Sequence, residues 1–120
     1  MFTMRFDMRA PAFGAPRAEL YRAAIEMTAW GEEKGCLAVQ VCEHHRSADG
    51  YLPAPLILAS AFAACTKKLP IQVAALIVPL HDPVELAEQM AVLDLVSGGR
   101  VCTSSRSAMC PPSTRCSAAR

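Results

Sequence analysis

Apolar positions along the chain change their period several times, and each change marks an element. Residues 4–8, "MRFDM", alternate apolar and polar and predict a short strand. "APAFGAP" follows, with two prolines and one glycine, and predicts a loop. From Arg17 to Lys34 the pattern is helical: Leu20, Ala24, Met27 and Gly31 recur on one face, with Ala23 and Thr28 beside them. Gly35 stands where a helix C-cap belongs. "CLAVQVC", residues 36–42, is an almost unbroken apolar run and predicts a strand covered on both faces. After a loop over 43–52, Pro53 and Pro55 can open a helix that runs to about Cys65. That helix is apolar nearly all round, which predicts heavy burial. "PIQVAALIVP", 70–79, predicts the next strand. In "HDPVELAEQMAVLDLVSGG", Asp82 is the expected N-cap, Pro83 a first-turn proline, and Glu85 completes a capping-box spacing. Val84, Ala87, Ala91 and Leu95 are the expected buried stripe, and Gly98 and Gly99 end the helix.

Strand and helix therefore alternate three times. Such alternation implies a parallel sheet with right-handed crossovers. A doubly wound dinucleotide-binding sheet needs a glycine-rich turn after its first strand. Only Gly14 is there, so that fingerprint is missing. A (β/α)8 TIM barrel fits better, although a complete one needs about 250 residues. The expected fold class is α/β: about three βα units, residues 1–100, forming the N-terminal portion of such a barrel.

Composition narrows the function classes. Of 120 residues, 52% are hydrophobic and 19% charged, which favours a packed core over disorder. The net charge of +1 gives no case for nucleic acid or an anionic membrane surface. The apolar stretches 52–65 and 69–80 are too short to span a bilayer and are interrupted by prolines. The N-terminus lacks an apolar signal core, so a soluble cytoplasmic location is expected. Six cysteines occur without a C-x-x-C pair. Cys36, Cys42 and Cys65 lie in or beside apolar runs, where a reduced thiol acts as a small hydrophobe.

The chemistry concentrates where the apolar run 36–42 stops, at Glu43, His44 and His45. This position follows the second strand. In a barrel it lies on the C-terminal face, where active sites are built. An imidazole titrating near neutral pH suits acid/base work. A polar loop capping the sheet is the plain alternative. A metal site is disfavoured, because adjacent residues in an extended segment point to opposite sides. His81 reads as a loop residue and Trp30 as packing. Tyr51, in the turn after Asp49 and Gly50, sits at a pocket mouth if there is one.

The segment "EHHRSADGYLPAPLILASAFAACTKKLPIQVAALIVPLHDPVELAEQMAVLDLVSGGRV" resembles the bacterial luciferase-like monooxygenase family. E-H-H, "PLHDPVELAEQ" and "LDLVSGGR" together carry the resemblance, which covers roughly residues 4–101. It implies a (β/α)8 barrel that uses reduced flavin (FMN) to activate oxygen and oxidise a small molecule such as an aldehyde or alkane. It also implies that His44 lies near the flavin as the acid/base residue, with Glu43 orienting it. The backbone at Ala74 and Ala75 would contact the flavin ring through a non-proline cis peptide. A deazaflavin-dependent oxidoreductase of the same fold is the alternative within the family. A non-catalytic half-barrel that self-associates, or a pseudogene product, is the alternative outside it. Open sheet edges predict a homo-oligomer or aggregation.

From Val101 the composition changes. "VCTSSRSAMCPPSTRCSAAR" has no Gly, Leu, Ile, Phe, Asp or Glu, where the family has its fourth strand. GC-rich codons chosen for this tail, read two bases later, give "LHVVAVGYVPSEYAMFGR". That peptide resembles the family's continuation after "SGGR". The expectation is an aberrant, disordered tail over 101–120, produced by a shift of reading frame after Arg100 or by a sequencing error that gives that appearance.

Overall fold

A computed structural model describes residues 1–104. Its elements are β1 (Phe2–Arg5), α1 (Arg17–Glu33), β2 (Cys36–Val41), α2 (Pro55–Cys65), β3 (Ile71–Ala74), a 3-10 turn (Val78–Leu80), α3 (Pro83–Ser97) and β4 (Val101–Ser104). The four strands form one sheet in the order β1-β2-β3-β4. Every neighbouring pair is parallel. The fold is thus the first part of a βα barrel wall, as the alternation implies.

Register divides the sheet into two faces. Met4, Val39, Ile71 and Val101 form one row across the four strands. These residues belong to the core or pack against it, together with Ala24 of α1, Leu58 and Phe62 of α2, and Leu86 and Leu93 of α3. Arg5, Gln40, Gln72 and Cys102 form the next row, which faces the other way. None of these four is buried. The sheet is therefore covered by helices on one side only. The expected two-sided cover of β2 is not met: Leu37 is 48% exposed.

The strand N-terminal ends are tied by two charged side chains. Glu32, near the end of α1, accepts the backbone N–H groups of Lys67, Lys68 and Leu69. Arg100 donates to the carbonyls of Ala63, Thr66 and Leu69 and to the Thr66 hydroxyl. It thereby satisfies carbonyls left open where α2 ends. Gly31 lets α1 approach β1 closely, since a Cβ there would lie 2.3 Å from Met4 Cε.

Three further expectations need correction. In α3 the residues facing the core are Leu86, Leu93 and Ser97, whereas Val84, Ala87, Ala91 and Leu95 are exposed. The helix carries apolar side chains on both sides, so two stripes compete and periodicity chose the outer one. The third strand is shorter than 70–79, because the chain leaves the sheet after Ala74 and turns through Val78–Leu80. Residues Val101–Ser104, expected to begin an aberrant tail, form β4 and pair with all of β3. A parallel neighbour supplies its backbone partners whatever the side chains, and Val101 fills a core-facing position. The rest of the expected tail, 105–120, lies outside the described residues.

Candidate active site at the C-terminal ends of β2 and β3

β2 ends at Val41, and the chain continues past the C-terminal edge of the sheet. Cys42 is still buried and accepts a hydrogen bond from Arg5 Nη2 at 3.4 Å. Glu43 follows and is only 3% exposed. A buried carboxylate is tolerable only when its oxygens are hydrogen-bonded, and here both are. Oε2 accepts the Ile77 backbone N–H at 2.5 Å. Oε1 lies 2.6 Å from His45 Nε2 and 2.8 Å from His81 Nε2. The Glu43 backbone N–H also donates to the Ala75 carbonyl at 3.2 Å. One residue therefore joins the end of β2 to the end of β3 by backbone and side chain alike.

Charge follows from these contacts. Burial pushes the Glu43 pKa up, but the Ile77 N–H and the two imidazoles outweigh it and hold the carboxyl below its ordinary value. The group is ionised at neutral pH, so it can only accept hydrogen bonds.

His44 lies apart from this cluster. Its backbone N–H donates to the Leu52 carbonyl at 2.9 Å. Its exposed ring stacks on Tyr51, with centroids 3.8 Å apart and planes 11° from parallel. Arg9 Cζ lies 5.4 Å from the centre of the same Tyr51 ring. Asp7 holds Arg9 from the β1–α1 loop. The salt bridge to Arg9 lowers the Asp7 pKa. Tyr51 therefore packs against the candidate histidine itself.

The expectation that Glu43 orients His44 gives way here. The Glu43 carboxylate is taken by Ile77, His45 and His81, and His44 is oriented by Tyr51. The sequence reading missed His81 as a member of the site. The available signal was topological: His45 and His81 each follow a successive strand of one parallel sheet, and such loops meet at the C-terminal face. At the end of β3, the Ala74–Ala75 peptide is cis, as the resemblance implied. Both alanines are half-buried. No group of three or more His, Cys, Asp or Glu among the described residues could hold a metal ion.

A parallel βα sheet covered by helices on one side is the architecture of a TIM-barrel wall. The luciferase-like monooxygenase family profile matches residues 4–102, and the chain belongs to that family. The alkanal monooxygenase alpha chain of Photorhabdus laumondii is 32% identical over 84 residues, covering 70% of this chain and 23% of that protein. The crystal structure of the monooxygenase RslO1 from Streptomyces bottropensis superposes with a TM-score of 0.77 at 26% identity, over 85% of this chain and 31% of that one. The oxygenating constituent of 3,6-diketocamphane monooxygenase from Pseudomonas putida, solved in complex with FMN, has the same fold (TM-score 0.75, 20% identity, 85% of this chain and 28% of that one). The chain thus spans about a quarter to a third of the length of these relatives. Among the described residues, no helix is long and apolar enough to cross a membrane.

Proposed function

We propose that the ends of β2 and β3 form one wall of a reduced-flavin oxygenase site, with FMN as the cofactor and a small organic molecule as the substrate. The observation that carries this reading is the bond from the Glu43 N–H to the Ala75 carbonyl. It holds the residue before His44 against the Ala74–Ala75 step. A flat ring needs a platform of small side chains and a nearby group that exchanges protons. The two alanines fit the first need and His44 the second. When bound, the flavin supplies the two-electron reduction of oxygen. His44 gives and takes a proton at its exposed imidazole, and the Tyr51 stack fixes the plane in which it does so. Glu43 acts through the loops it holds rather than on the reacting atoms.

The phosphate end of a flavin is held in such barrels by strands seven and eight. The 120-residue chain on its own therefore binds FMN weakly or not at all, and its open sheet edges favour self-association. Titration of FMN into the 15N-labelled chain, followed by amide shifts, tests this. The expected result is a weak, non-saturating response confined to residues 42–52 and 74–77. Shifts elsewhere would refute the proposal, whereas tight stoichiometric binding would refute the expectation that the chain on its own binds FMN weakly.

A further inference from the structure

The Glu43–His45–His81 cluster lies outside the acid/base role given to His44. An ionised carboxylate has no proton to donate. Both imidazole nitrogens within hydrogen-bond distance of Oε1 must therefore carry protons, and in each ring that nitrogen is Nε2. We propose that Glu43 is a positioning residue that locks His45 and His81 as Nε2–H tautomers, leaving Nδ1 of each ring as its basic nitrogen at the C-terminal face. A carboxylate that accepts one ring N–H fixes the orientation of the ring and makes the opposite nitrogen a better base or ligand. Glu43 does this for two rings at once, one from the β2–α2 loop and one from the β3–α3 loop.

Three features make the lock effective. The Glu43 side chain is fully buried, whereas those of His45 and His81 are 34% and 24% exposed. The rings can therefore reach a ligand while their anchor cannot reach water. Oε2 is occupied by the Ile77 N–H, which prevents the carboxylate from rotating freely. The backbone bond to Ala75 fixes the base of the Glu43 side chain. The inference rests on bonds within the protein and does not depend on flavin binding.

Glu43→Gln gives a sharp test, because an amide has only one oxygen. The Ile77 N–H can only donate, so it claims that oxygen and turns the amide N–H2 toward both imidazoles. Each Nε2 must then accept, and the proton moves to Nδ1. The measurement is two-bond 1H–15N correlation of the histidine rings in the full 120-residue chain, at alkaline pH where each ring carries a single proton. Wild type should show protonated, pyrrole-type Nε2 in His45 and His81, with His44 as an internal control. In E43Q both rings should reverse, with pyrrole-type Nδ1, while His44 stays unchanged. A wild-type chain in which either ring carries its proton on Nδ1, or averages between tautomers, overturns the proposal. So does an E43Q chain that keeps Nε2–H in both rings. Should E43Q fail to fold, the wild-type assignment decides alone.

Discussion

Replacing Glu43 by alanine should destabilise the chain strongly for a single polar substitution. Three donors lose their acceptor. The Ile77 N–H is partly buried, and leaving such a group unpaired costs about 1–3 kcal/mol. His45 and His81 are partly exposed, so water can replace the carboxylate at a cost of roughly 0.5–1 kcal/mol each. Relief from burying a charge offsets part of this. The expected net loss is about 2–4 kcal/mol, a large share of the ~5–15 kcal/mol that holds a domain together. Urea unfolding followed by far-UV circular dichroism and Trp30 fluorescence measures it. With a slope of about 2 kcal/mol per molar, the midpoint should fall by roughly 1–2 M. A shift below about 0.3 M would mean that the three bonds contribute little net energy. The cluster would then be a coincidence of packing rather than a junction between β2 and β3. A double-mutant cycle with His81→Ala should show a coupling of about 0.5–3 kcal/mol, since the two side chains share one bond.

Other outcomes follow from the same contacts. The Glu43 and Glu32 carboxyls are both held below their ordinary value of 4.5, so the folded state binds their protons less readily than the unfolded state does. Their stabilisation is complete above that value and is lost as pH falls through the folded pKa values. Unfolding midpoints should therefore drop on acidification below about pH 4.5, and drop less in E43Q. Arg100→Met removes the donor that ties α2 to β3 and should cost about 2–4 kcal/mol in the urea assay, with the sheet end loosened rather than the His44 site. Asp82→Ala removes the N-cap that accepts from Val84 and Glu85 and should cost about 1 kcal/mol by the same assay.

The three helices and the strands before them were legible in the sequence because their signals are local, whereas β4 was not. Asp82, Pro83 and the glycines at 98 and 99 mark α3 at both ends, and the structure uses Asp82 as the cap and Gly98 in a left-handed turn. Facing was less legible. Val92, Leu95 and Val96 are as apolar as Leu86 and Leu93, yet they lie outside the core. Some of them line an outer groove with Leu56 and Ile57 of α2, which shares no residue with the strand-end cluster. A hydropathy pattern cannot tell an outer apolar face from an inner one when both are present. The candidate site was partly legible. E-H-H marked the loop that carries the strand-end cluster, and the family resemblance implied that Glu43 serves His44. Glu43 is buried and His44 exposed, and the partner of Glu43 on the next loop lies 38 positions away. No local pattern joins residues so far apart. Parallel topology does, by bringing successive strand ends to one face.

We propose that the ends of β2 and β3 form a flavin oxygenase wall, beside which His44, stacked on Tyr51, moves the proton. The most direct measurement uses a chimera in which residues 1–104 replace the matching first part of a full-length FMN-dependent relative. Reduced-flavin-dependent aldehyde oxidation is compared between the chimera and its His44→Ala variant, with FMN affinity measured alongside. The account predicts that the chimera turns over, and that H44A lowers kcat by about 10²–10⁴-fold while FMN affinity changes little. Equal turnover with and without His44 would contradict it.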